Sequence, residues 1–476
     1  MTDHIFYDNE ATGLSVRHDQ ITQFGGVKCS SDLTIQERCS HFLKLLPYVV
    51  PHPEALEVTN KTADELSSDN LPSEYDATRN IHKFLSTKRD ESRVFITYNG
   101  LKYDDELLRT AFYRNLLEPY FNSGRNHIKI DLLNVLKMVH GMEPSSINVH
   151  TNSDGKPNYR LESICPANEI KIDAHDALND SIATRDLFCL IKERAPWAIK
   201  IAMRSGSSAR VNNLLEDAIS NKTPIYSFTS FGTPQLVPLV ILTKDRKKYI
   251  GIDPRFNIEE AKSRDIVDQL FSTDSAFELI TTNKFPLLLK EEEVQALFPN
   301  YLCENIRLKA DEINGDKELI DIAKSALLDN TYEKVNNPTS EENIYGGFYD
   351  SSDKRQINKF HSAKTWEEKS KISFYDPRLR DFSARILLEA VKNGQCILSA
   401  DRLKSFARAC EEAFTRPFHK SNDRYNTISQ CLEYGADDNW LEWAKERYGN
   451  HAVFSEVVTK EPSNAEVSST QYSFGF

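Results

Sequence analysis

The spacing of apolar residues changes character along the chain, and each change marks a region. Over residues 1–198, short apolar runs alternate with stretches of helical period. His4–Tyr7, Gln20–Cys29, Asp32–Gln36 and Val94–Tyr98 read as strands, the last broken by Asn99-Gly100. Asp104–Leu117, Asp131–Val139 and Asp180–Ile191 read as amphipathic helices, and another helix starts at Thr62-Ala63-Asp64-Glu65. Strands alternating with helices predict an α/β layer with a mixed sheet. Over 199–338 the runs shorten. Thr223–Phe231, Val237–Thr243 and Tyr249–Asp253 are β-rich, with a tight turn at Lys244-Asp245-Arg246-Lys247. Helices are expected at Ile258–Leu270, Glu291–Leu297 and Lys317–Leu328, followed by a polar linker, Asn336–Ser340. Residues 339–459 are mostly helical, with apolar repeats such as Ala384, Leu387, Leu388 and Val391. Residues 460–476 are polar and Ser-rich, which predicts a flexible tail.

Composition narrows the class. At roughly 100–200 residues per domain, 476 residues fit two to four domains. The balance of 59 basic against 71 acidic residues, a net charge of -12, excludes a globally basic binder but allows a basic groove. One segment runs against the trend: residues 351–424 carry 16 basic and 10 acidic side chains, or +6. Lys354, Arg355, Lys359, Lys364, Lys369, Lys371, Arg378 and Arg380 are interleaved there with Phe360, Trp366, Phe374 and Tyr375. The segment reads either as one wall of an anion-binding groove or as cations on a solvated face over an aromatic core. The longest apolar run, Leu236–Leu242, contains Pro238 and is too short to span a membrane. The N-terminus has no signal-peptide pattern, and the eight cysteines are scattered without a CxxC pair, which suits a reducing cytoplasm.

Three acidic motifs carry chemistry. Asp8-Asn9-Glu10 ends an apolar strand, so Asp8 and Glu10 point to one side and can converge on a cation. Asn99-Gly100-Leu101-Lys102-Tyr103-Asp104 links a strand to a helix, and Asp104 could equally be a helix-start acid. His175-Asp176-Ala177-Leu178-Asn179-Asp180 opens a helix and offers a general base and a third carboxylate. Each motif alone has a plain structural reading. Together, in this order within one α/β region, they resemble the exonuclease family that uses three Asp, one Glu and a catalytic His (DEDDh).

The resemblance narrows further. Tyr7–Gly13, Tyr98–Glu106, Phe112-Tyr113-Arg114-Asn115, Arg160-Leu161-Glu162 and His175-Asp176-Ala177 are similar to the bacterial exodeoxyribonuclease I family. Ser230-Phe231-Gly232, Asn283–Leu287 and Tyr345–Tyr349 extend the likeness to about Gly449. Tyr103 stands where Phe is commoner, and Asn9 and Ala11 replace expected aromatics. The resemblance implies an RNase H-like mixed-sheet exonuclease domain, an SH3-like β-rich domain with helices and a helical C-terminal domain, closed into a clamp. It implies a single-stranded-DNA-specific 3′–5′ exodeoxyribonuclease of DNA repair and recombination that releases 5′-mononucleotides. Two Mg²⁺ ions, replaceable by Mn²⁺, would be held by Asp8, Glu10, Asp180 and Asp104, with His175 as base. Thr12, Asn99, Tyr103 and Arg160 would meet the substrate. Other implied features are a monomer in the bacterial cytoplasm, near the nucleoid, and binding to the C-terminal tail of single-stranded DNA-binding protein. For that tail, Lys244, Arg246, Lys247 and Lys248 are either contributors or a solvated turn. Two rival readings stand beside this one: a 3′–5′ RNA exonuclease of the same superfamily, and a catalytically silent DNA-binding scaffold.

Overall fold

The apolar run at His4–Tyr7 belongs to a longer strand, β1 (Asp3–Ala11), at the centre of a five-stranded sheet. The computed structural model describes residues 3–86, 92–173, 175–229, 234–263, 266, 270, 275–302, 305–329, 335–420 and 422–449. β2 (Ile21–Cys29) pairs antiparallel with β1, and β3 (Ile35–Phe42) pairs antiparallel with β2. On the other side β4 (Arg93–Thr97) and β5 (His127–Asp131) run parallel to β1. The mixed sheet expected from sequence is therefore present. The expected strand at Asp32–Gln36 is displaced: the Asp32 carboxylate accepts the Thr34 N–H and closes a turn, so the strand begins at Ile35.

Caps set the helix starts. The Asp131 carboxylate accepts the Leu133 N–H, so the helix expected from Asp131 runs Leu132–Met142 instead. Asp176 likewise accepts the Asn179 N–H, and the helix expected from Asp180 begins at Ala177. We label Glu74–Leu85 α1, Asp104–Arg114 α2, Leu132–Met142 α3 and Ala177–Arg194 α4. The period of two along β1 sorts its side chains between two helices. Phe6 packs with Leu187 and Phe188 of α4. Ile5 and Tyr7 pack with Leu107, Leu108 and Ala111 of α2. Each such fully buried ring or aliphatic chain contributes about 1.5–3 kcal/mol.

α5 (Pro196–Ser205) and α6 (Ser208–Asn221) lead to a second five-stranded sheet. Its strands are β6 (Ile225–Thr229), β7 (Gln235–Asp245), β8 (Lys248–Ile252), β9 (Phe277–Thr281) and β10 (Leu288–Lys290), all paired antiparallel. The helix expected at Ile258–Leu270 is present over Ile258–Lys262, Ile266 is also helical, and much of the remainder lies outside the described residues. α7 (Lys317–Asp329) covers this sheet, with Leu319, Ala323 and Leu327 against Val240 and Ile250. Ser230-Phe231-Gly232 and the tail 460–476 lie outside the described residues.

The C-terminal helices include α8 (Ser351–Ser362), α9 (Pro377–Lys392), α10 (Ile428–Tyr434) and α11 (Asp438–Tyr448). The interleaved cations and aromatics divide here. Phe360 and Phe374 are core residues, packed with Tyr113 and Phe382. Lys369 is buried and donates to the Phe360 carbonyl, and Arg378 pairs with Asp376. These four are therefore removed from any open groove. Lys354, Arg355, Lys359, Lys364, Lys371, Arg380 and Tyr375 are exposed. Among the described residues, no helix is long and apolar enough to cross a membrane.

Candidate metal centre

Asp8 and Glu10 lie on the face of β1 that looks towards α4, continuing the side of Phe6. Space for α4 comes from β2. Gly25 pairs with Asp8, and a Cβ there would lie 2.0 Å from the Ala177 carbonyl carbon. Ser181 Oγ donates to the Gly25 carbonyl at 3.0 Å. Gln23, paired with Glu10, donates through Nε2 to Asp176 Oδ2 at 2.8 Å. These contacts bring the first turn of α4, with Asp180, down onto the end of β1. One carboxylate oxygen each from Asp8, Glu10 and Asp180 then lies within 4.8 Å of the others.

Asp104 comes from the opposite side of the strand. It opens α2, is buried, and its Oδ1 accepts Asn9 Nδ2 at 2.9 Å. Gly100 makes the turn before it possible: a Cβ there would lie 2.3 Å from Asp104 Oδ2. Asn99 takes a left-handed conformation (φ 64°), which Asn tolerates, and its N–H donates to Asp131 Oδ1.

The electrostatics follow from that crowding. Burial, then the charges of Asp104 and Asp176, pushes the Glu10 carboxyl up to about 7. Burial, then Glu10, takes Asp180 up to about 7. Burial above all takes Asp104 to about 7, against the Asn9 hydrogen bond. Asp8 is raised well above the ordinary range by burial and then by Asp104, Asp180 and Glu10. Among the described residues, no basic side chain is a leading influence on any of the four, and Asp180 Oδ1 is buried without a hydrogen-bond partner. An all-oxygen set of mutually repelling acids with an unpartnered buried oxygen fits a hard divalent cation.

The remaining predicted positions separate. His175 is exposed on a turn (φ 68°), outside the triad, with its N–H donating to Asp180 Oδ2 at 3.2 Å. Tyr103 is half-buried, and its hydroxyl donates to the Gly13 carbonyl. Asn99 and Arg160 are exposed, Arg160 lying 3.8 Å from Glu162. Thr12 is fully buried: its hydroxyl donates to Asp19 Oδ1 and accepts the Gln20 N–H, so it faces the loop, not open surface. Sequence reading missed Gln23 and Asn9, although Asn9's place between two acids on alternating faces was a usable signal.

The RNase_T exonuclease family matches residues 5–188, the segment holding all four carboxylates and His175. Exodeoxyribonuclease I of Buchnera aphidicola (from Schizaphis graminum) is 28% identical over 467 residues, covering 92% of this chain and 93% of the relative. Over nearly its whole length the chain is similar to exodeoxyribonuclease I. Exonuclease I from Methylocaldum szegediense has the same fold, with a TM-score of 0.77 at 20% identity over 96% of this chain and all of the other (100%). Escherichia coli exonuclease I in complex with a dT13 oligonucleotide gives 0.75 at 20% identity, over 94% of this chain and 99% of that one.

Proposed function

We propose that the protein is a 3′–5′ exodeoxyribonuclease of DNA repair and recombination that degrades single-stranded DNA to 5′-mononucleotides, with two Mg²⁺ ions, or Mn²⁺ in their place. The observation that carries this reading is the convergence of Asp8, Glu10 and Asp180, with Asp104 beside them and no basic side chain among the leading influences on Asp8. Bound there, divalent ions supply charge stabilisation for the attacking and leaving oxygens and a nucleophilic water at neutral pH. Asp8, Glu10 and Asp180 would hold one ion, and Asp8 with Asp104 the other. His175, free on its turn, accepts the proton of the attacking water at a ring nitrogen. Tyr103 and Asn99 flank the terminal nucleotide, and Arg160 meets a phosphate. Thr12 acts from beneath, through Asp19 and the loop it holds.

Outside the centre, the exposed Lys354, Arg355, Lys359 and Arg380 with Tyr375 suit a strand path, cations for phosphates and a ring for a base. Arg246 and Lys247, exposed at the β7–β8 turn, suit an acidic peptide such as the C-terminal tail of single-stranded DNA-binding protein. The test is digestion of 5′-labelled single-stranded DNA, duplex DNA and RNA of matched sequence, with Mg²⁺ and with chelator. The expected result is metal-dependent shortening of single-stranded DNA from its 3′ end. Faster digestion of RNA would replace the DNA reading, and tight binding without digestion would point to a silent scaffold.

A further inference from the structure

β1 grips α2 at two successive helix residues through two alternate strand residues. Deep in the core, the Tyr7 hydroxyl donates to Asp105 Oδ1, and Asn122 Nδ2 donates to Asp105 Oδ2 at 2.7 Å. Two residues further along the strand and one residue back on the helix, Asn9 Nδ2 donates to Asp104 Oδ1 at 2.9 Å. Tyr7 and Asn9 thus hold the helix, while Asp8 and Glu10, one residue along, form the triad with Asp180. The division follows from the strand's period of two.

Three features make the Asn9 contact more than packing. First, Tyr103 makes no side-chain cap at the start of α2, and the helix itself offers the Asp104 carboxylate only the backbone N–H of Asp104, a weaker influence than the Asn9 amide. Second, the other carboxylate oxygen is hemmed in by Gly100, where even a Cβ would stand 2.3 Å away. Third, Asn9 is only 7% exposed, yet its Oδ1 has no hydrogen-bond partner among the described residues. A buried amide oxygen left open costs free energy unless something accepts its place in a network. A neutral amide can also hold a carboxylate without discharging it, whereas a Lys or Arg would compete with a cation.

From these contacts we infer that Asn9 is a positioning residue: it orients Asp104 for the second of the two divalent ions. The inference rests on the two-ion reading above. Removing an outer contact of this kind weakens metal affinity by about 10–100-fold.

The test uses Asn9→Leu, similar in volume but without the amide, and Asn9→Ser, which keeps a small polar side chain. Mn²⁺ is titrated into the resting full-length protein, without DNA, and free ion is read by electron paramagnetic resonance. Wild type should bind two ions. Both variants should keep one and bind the other about 10–100-fold more weakly. The Mg²⁺ concentration for half-maximal digestion should rise in step, while kcat at saturating Mg²⁺ returns to near the wild-type value. Two ions bound by the variants as tightly as by wild type would overturn the inference. So would a fall in kcat with Mn²⁺ binding unchanged, because Asn9 would then act on the substrate. Fewer than two ions on wild type would instead overturn the two-ion reading itself. Thermal melts identify any variant that fails to fold, and the other variant then carries the test.

Discussion

Two carboxylate clusters in this protein, one half-buried and one buried, obey opposite electrostatic rules. Around β1, Asp8, Glu10, Asp104 and Asp180 are gathered with no basic side chain of the described residues among their leading influences, and every one has its acidity weakened. In the C-terminal region Glu341 is fully buried, and burial alone would raise it, yet it is held well below the ordinary range. The difference is Arg385 and Arg416, both on Glu341, with Arg385 also on Asp381 and Arg416 on Glu412. Burial sets the stakes and neighbours set the sign. A cluster that carries its own countercharge is framework. A cluster without one is suited to a divalent cation.

The largest effect should come from removing a member of the uncompensated set. Asp8→Ala should slow single-turnover digestion by at least roughly 10³-fold, about 4 kcal/mol of barrier, while the melting temperature in chelator at pH 8 stays level or rises. A marked loss of stability would mean that the acids are held by something other than repulsion. Next, Glu341→Gln should cost about 3–5 kcal/mol in urea unfolding, because two buried guanidiniums lose their shared partner.

A divalent ion should turn the first cluster into the second. Mg²⁺ at 100 times its Kd should stabilise the folded chain by about 2.7 kcal/mol, seen as a rise in Tm that Asp8→Ala loses. Proton linkage gives a finer contrast. Glu10 has a folded-state value of about 7, above its unfolded value, so the metal-free folded chain binds more protons between about 4.5 and 7. Its contribution is present at low pH and lost as pH rises through that window, so in chelator Glu10→Gln should gain on wild type from pH 5 to pH 8. Glu341 has the opposite sign: its contribution is present above about 4.5 and lost below, so the gap between wild type and Glu341→Gln should close in acid. The smallest effect belongs to an exposed pair. Lys244→Ala, which leaves Glu216 with the Tyr249 hydroxyl, should change stability by less than about 1 kcal/mol.

Sequence reading reached far into the first region because its signals are local. The Asp8–Glu10 spacing, the Asn99-Gly100 turn and the Thr62–Glu65 capping box, present in the structure, lie within a few residues each. It missed β5, His127–Asp131, where only two apolar residues mark a strand. Its interleaved aromatics could not be sorted by pattern: Phe360 and Trp366 look alike in sequence, yet only Phe360 is fully buried. The Glu341–Arg385–Arg416 cluster was invisible for a different reason. Its members are 44 and 75 residues apart from Glu341, and no periodicity spans such distances. The strand face that carries Asp104's partner was readable in principle, since Asn9 alternates with the two acids.

The end of the chain packs against a segment made near its beginning. Trp440 donates to the Pro51 carbonyl across 389 residues, Trp443 donates to Ser67 Oγ, and Leu45, Val49 and Leu56 share a core with both rings. At about 5–20 residues per second, synthesis of the intervening chain takes roughly 20–80 s. Throughout that interval the apolar surface of residues 45–66 has no cover from α11. A nascent or truncated chain therefore displays a greasy flag that the finished protein folds away, and quality control has a physical feature by which to tell the two apart.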